Sequence, residues 1–219
     1  MSRYVAVVLA LGLAATTGAA DEFDTLDINE GELRFLTETP KEPPHEQSTH
    51  ILVNEDSLKS GWITMRQCHY RLAPVNAMQV VFNKERARNI KIVQSDKIKR
   101  AWVENASVQL EGVEKEAVLC IQSENRSFRR NGTAGTYEWR GGPYMRRFLD
   151  GYFPMHVKVA IDYPAKHLQL KTIEPAPLRL KATTLPGHLR LDAVFEGRLL
   201  ITAQFAPGSE VAPDIGWNP

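Results

Sequence analysis

From Met155 to Tyr163 every second residue is apolar or aromatic. Met155, Val157, Val159, Ile161 and Tyr163 alternate with His156, Lys158, Ala160 and Asp162. Successive side chains of a strand point to opposite faces, so this run suits a half-buried strand and cannot gather its apolar residues on one helical face. The alternation continues in Leu168 and Leu170 against His167, Gln169 and Lys171, and in Leu178 and Leu180 against Arg179 and Lys181. Leu189, Leu191, Ala193 and Phe195 oppose His188, Arg190 and Asp192. After a tight turn at Glu196-Gly197-Arg198, Leu199, Ile201, Ala203 and Phe205 complete the set. The pattern predicts an antiparallel meander with one buried and one wetted face.

The first half is less regular, with strands expected over 62–69, 78–82, 90–93, 101–104, 108–110 and 117–122. The last has apolar residues on both faces and reads as a central strand. Residues 143–150 read as one short helix: Pro143 suits its first position, Gly151 its end, and Met145, Phe148 and Leu149 share a helical face. The expected fold is all-β, an antiparallel β-sandwich, in one piece or as two packed β halves, with that helix. The first half would cover 50–125 and the second 126–206, preceded by an acidic extended arm (21–49) and followed by a C-terminal tail (207–219).

Arg3, an apolar run from Tyr4 to Ala15 and small residues up to Ala20 have the three parts of a secretory signal, so cleavage after residue 20 is expected. The run is shorter than the ~20 residues a membrane-spanning helix needs. The expected location is therefore periplasmic or secreted, with no transmembrane segment in the mature chain. The only two cysteines, Cys68 and Cys120, fall on separate expected strands, and in an oxidising compartment they are expected to pair. The competing reading, a reactive Cys68 with His69 as its base, is opposed by strand geometry, which sends neighbours to opposite faces.

The chain contains none of the glycine-rich phosphate loops or the nucleophile elbow of hydrolases. His45-Glu46-Gln47-Ser48-Thr49-His50 resembles a helical zinc motif, but a spacing of five residues turns the two histidines apart, and the segment follows Pro43-Pro44. It is expected to be a solvated loop. Met65, Cys68, His69, Met155 and His156 are residue types that suit copper, yet Met155 and His156 are neighbours on one strand and face opposite ways. No metal and no cofactor is expected.

Charge is distributed unevenly although the formal net charge is only +1. Residues 21–60 hold eleven acidic and three basic side chains, whereas over 126–198 Arg and Lys outnumber Asp and Glu about two to one. On the meander reading, Lys158, Lys171, Arg179, Lys181 and Arg190 share the wetted face, with Arg146 and Arg147 forming an anion site beside it. The expected function is an exported, non-catalytic binding or accessory protein of the cell envelope that engages an anionic envelope component or a protein partner through this basic face. Nucleic acid is not expected as a partner after export. Two other readings stay open: a periplasmic hydrolase with an unrecognised site, and a copper-handling protein. The acidic arm could also lie over the basic face and neutralise it within the molecule.

Overall fold

The computed structural model describes residues 31–38, 40–132, 135–148 and 151–208. The expected signal segment, residues 21–30 of the arm and the tail beyond 208 lie outside the described residues. The described residues begin with β1 (Arg34–Phe35), β2 (His45–Leu52), helix α1 (Glu55–Ser60), β3 (Trp62–Leu72) and β4 (Val75–Val81). Two long strands follow, β5 (Ala87–Glu104) and β6 (Ser107–Arg126), then β7 (Phe128–Asn131), β8 (Thr136–Tyr144), β9 (Arg146–Phe148) and β10 (Gly151–Phe153). The chain continues with β11 (Met155–Asp162), β12 (Leu168–Glu174), helix α2 (Pro177–Leu180), β13 (Thr183–Leu185), β14 (His188–Glu196) and β15 (Leu199–Pro207).

These strands form a sandwich. The large sheet has the order β1-β14-β11-β2-β3-β6-β4, with β13 added to β14 and β5 to β6. The smaller sheet has the order β12-β15-β8-β7, and β9 and β10 form a separate hairpin. Pairing is antiparallel throughout except between β2 and β11. Val157, Val159, Ile161, Leu191 and Phe195 of the large sheet are buried in one core with Phe128, Trp139, Leu199, Ile201 and Phe205 of the smaller one. The division between sheets does not follow the division of the sequence near residue 126, because β11, β13 and β14 join strands of the first half.

The strand over Met155–Asp162 has the expected alternation, buried at odd positions and half-buried at even ones. The meander does not form. The chain passes from β11 in the large sheet to β12 in the smaller one, back to β14, and across again to β15. Strands of a meander and strands that alternate between two sheets carry the same period-two pattern, since both wet one face. Leu178 and Leu180 belong to α2, with Pro177 at its start, instead of a strand.

The helix expected over 143–150 is also replaced by sheet. β8 runs to Tyr144, and Gly142-Pro143 make a bulge where its register against β15 slips, with Ile201 opposite Gly141 and Leu199 opposite Tyr144. Proline fits such a position because a bulge asks for no ladder N–H there. Gly142 has φ +98°, and a side chain on it would strike the Leu199 carbonyl. Beyond it, cross-strand pairs Arg146↔Phe153 and Arg147↔Tyr152 hold the β9–β10 hairpin. The opposite substitution occurs earlier. Helix α1 was not expected, and it is set by Asn54, whose side chain accepts from the Ser57 N–H, and by left-handed Gly61.

The central strand expected at 117–122 is the C-terminal half of β6, flanked by β3 on one edge and β5 on the other. Cys68 and Cys120 are register partners across β3 and β6 and form a disulfide, as expected. β3 and β4 run end to end along β6, so that the large sheet continues beyond the main core. There Val108, Leu110 and Val113 cluster with Val75, Met78, Val80 and Ile98, and no residue of the smaller sheet joins them. Among the described residues no helix is long and apolar enough to cross a membrane.

Candidate functional site

The large sheet has two faces, and the register assigns each side chain to one of them. On the outer face lie Glu46, Ser48 and His50 of β2, His156, Lys158 and Asp162 of β11, and His188, Arg190 and Asp192 of β14. These residues pair with one another. Lys158 Nζ donates to Glu46 at 3.1 Å, Arg71 donates to the same carboxylate at 3.1 Å, and His156 lies 3.2 Å from it. Asp162 accepts from Arg190 at 2.8 Å and is hydrogen-bonded to His50 and His188. Partial burial by itself would raise the Asp162 pKa. The bonds from His188, His50 and Arg190 outweigh it and hold the carboxyl well below the usual range. Glu46 is lowered in the same way, against burial, by Lys158 and Arg71.

The seven basic residues singled out in the sequence are therefore not on one surface. Lys158 and Arg190 are on the outer face, each bonded to a carboxylate. Lys171 belongs to β12 of the other sheet, while Arg179 lies in α2, donating to the Ile173 carbonyl, with Lys181 at the end of that helix. Arg146 and Arg147 are neighbours on β9, their guanidinium groups directed to different rings, Phe153 for Arg146 and Tyr152 for Arg147. Glu46, expected in the acidic arm, pairs with Lys158 from within the sheet: residues 45–49 are not a loop but part of β2, between β11 and β3. Polar residues on both faces of β2 concealed it.

The residues weighed for copper are split among different sites. Cys68 is in the disulfide, Met155 is in the core, His156 is on the outer face with Glu46 and Asp192, and Met65 and His69 line the cleft described below. Among the described residues no group of three or more His, Cys, Asp or Glu is placed to hold a metal ion.

The inner face of the same sheet opens into a cleft of about 1180 Å³. One wall consists of β2, β3 and β4, and the other of the end of β8, the β9–β10 hairpin and Leu200 of β15. Its floor is polar where a sandwich core is ordinarily apolar: His45, Gln47 and Thr49 alternate inward along β2, opposite His69 and Gln67 of β3. With the Gln67 amide donating to His69 Nε2 at 2.6 Å, His69 carries its proton on Nδ1 and donates it to His45 Nε2 at 3.1 Å. Burial pushes His45 down to about 4, helped by the charges of Arg146 and Arg71, and pushes His69 down to about 3. Both rings are neutral near pH 7. Thr49 is buried beside Tyr144. Burial holds the Tyr144 phenol well above its ordinary value, against a lowering hydrogen bond with the Thr49 side chain.

Six arginines line this cleft: Arg86, Arg126, Arg129, Arg140, Arg146 and Arg147. No carboxylate is among the described lining residues. Arg140 pairs with Glu138, and no described carboxylate lies within ion-pair distance of the other five. The Arg146 and Arg147 guanidinium groups lie 5.9 Å from the Phe153 ring and 5.8 Å from the Tyr152 ring, within cation–π range. The sequence pointed to Arg146 and Arg147 as an adjacent pair. Its signal for Arg126, Arg129 and Arg140 was only their place in the basic stretch, and Arg86 lies outside that stretch.

No protein-family model matches this chain, and no curated protein matches it. Among solved structures it is similar to an M1 zinc metallopeptidase from Deinococcus radiodurans bound to a Tyr-Ser-Ala substrate, at 14% identity and TM-score 0.40. It is similar also to a two-domain M1 zinc metallopeptidase bound to L-tryptophan, at 12% identity and TM-score 0.39. Each alignment covers 86% of this chain and 46% of the other, so the chain spans less than half the length of these structures. At such scores the likeness carries no inference about activity.

Proposed function

We propose that this protein is an exported, non-catalytic binding module of the cell envelope, and that it holds an anionic ligand in the cleft between its sheets. The observation that carries this reading is the cleft's charge: no described carboxylate in its lining, and five lining arginines with no ion-pair partner among the described residues. Cations that already have carboxylate partners gain little from a second anion, whereas unpaired guanidinium groups offer bidentate donors to phosphate or carboxylate. The anion-binding role expected for a basic sheet face thus passes to the cleft, with Arg146 and Arg147 retained. A disulfide and the signal-like first twenty residues support export.

The neutral His45–His69 pair fits a binding role better than a metal role. Nearby guanidinium charge, which lowers His45, also repels a cation. The test is binding of the mature protein to anionic and neutral envelope components at low and high salt. Anion-selective, salt-sensitive binding that falls at least about tenfold in the Arg146→Gln/Arg147→Gln variant is the expected result, since charge-assisted bonds contribute about 1.5–3 kcal/mol each. Equal binding of anionic and neutral components would overturn the proposal.

A further inference from the structure

The apolar part of the cleft narrows the ligand class. This inference rests on the anion-binding reading above. The cleft's volume of about 1180 Å³ exceeds the ~300–1,000 Å³ typical of pockets for drug-sized ligands, and a small anion would leave most of it as wet apolar surface. Leu72, Val75, Met78 and Val80 form a continuous apolar strip along β3 and β4, where the second hydrophobic cluster lies outside the smaller sheet. Four large apolar side chains at the cleft are open to solvent: Val81 (67% exposed), Leu200 (62%), Phe153 (42%) and Met145 (40%). They are half of all the exposed large hydrophobics among the described residues. Scattered exposure of this kind needs no explanation, but concentration at one concave site marks a binding surface.

Methionine adds a second indication. Met65, Met78 and Met145 all line the cleft, and their unbranched side chains adapt to an irregular or variable apolar ligand. A ligand matching both parts must be anionic at one end and long and apolar at the other. An acidic peptide has the charge, but its backbone polar groups would go unpaired against the apolar strip.

We infer that the cleft takes a lipid with an anionic phosphate headgroup, the headgroup held by the rim arginines and the acyl chain laid along the Leu72–Val80 strip toward Leu200 and Phe153.

The experiment uses the full mature protein and measures binding to phosphatidylglycerols of increasing acyl length, with phosphatidylcholine, glycerol phosphate, inorganic phosphate and a polyglutamate peptide as comparisons. Affinity should rise with chain length at constant headgroup, exceed that for phosphatidylcholine, and fall at least tenfold in Phe153→Glu and Leu200→Glu. Both sites are exposed, and circular dichroism would verify that each variant is folded. Affinity for glycerol phosphate, inorganic phosphate or polyglutamate equal to that for the long-chain lipid would overturn the lipid inference while leaving the anion-binding reading intact. Phosphatidylcholine bound as tightly as phosphatidylglycerol would overturn the anionic part of both. Absence of binding to every probe would overturn both proposals together.

Discussion

The two faces of the large sheet carry cations in opposite states. On the outer face Lys158, Arg71 and Arg190 each reach a carboxylate, and Glu46 and Asp162 each serve several partners. Around the inner cleft, Arg86, Arg126, Arg129, Arg146 and Arg147 have no such partner among the described residues. Charge counted along a chain is therefore a poor guide to charge available for binding. What matters is whether folding has already brought an anion to each cation.

Four perturbations test this contrast, from the largest effect to the smallest. Removing the outer-face crosslink by Cys68→Ser/Cys120→Ser should cost about 4 kcal/mol, from the entropy of a closed loop of this length. A denaturant midpoint would measure it, and affinity of the folded variant for anions should not change. Lowering pH tests the cleft floor. His45 and His69 titrate below their unfolded value of about 6.5, so the folded state binds fewer protons than the unfolded one between that pH and their folded values. Stability is then full above about 6.5 and is lost as pH falls toward 4, by an amount on the order of 3 kcal/mol for each histidine. Replacing His69 by Gln should flatten that slope in thermal melts at a series of pH values, whereas Lys181→Ala, away from the cleft, should not.

Arg146→Gln/Arg147→Gln should weaken anion binding about 10- to 100-fold and shift stability by less than about 0.5 kcal/mol, since neither is bonded to a carboxylate among the described residues. Titration calorimetry alongside a melt separates the two effects. Lys171→Ala/Lys181→Ala, at exposed positions away from the cleft, should change anion affinity less than about twofold. A larger loss there would return the binding surface to the outside of the smaller sheet.

The periodic strands were readable because hydrophobic alternation reports burial directly. Met155–Asp162, the central position of β6 and the Cys68–Cys120 pair all follow from local pattern and residue chemistry. Sheet membership was not readable, because β11, β12, β14 and β15 have the same alternation whether they form one sheet or cross between two. That single ambiguity spread the expected basic face over three parts of the molecule. β2 was hidden for a different reason. His45, Gln47 and Thr49 face a cleft and Glu46, Ser48 and His50 face solvent, so neither side has the apolar signature of a strand. Residues 143–150 show a third case, in which helix-like punctuation by proline and glycine serves a bulge and a hairpin. The cleft is assembled from segments between residues 45 and 200, and no local motif could have announced it.

The central claim is that the available cations are those of the cleft. Its most direct test is anion binding at low salt by two folded variants, Arg146→Gln/Arg147→Gln in the cleft and Lys158→Ala/Arg190→Ala on the outer face. Loss of binding in the first and retention in the second is the predicted result. Retention in the first and loss in the second would contradict the account and place the ligand on the outer face of the large sheet.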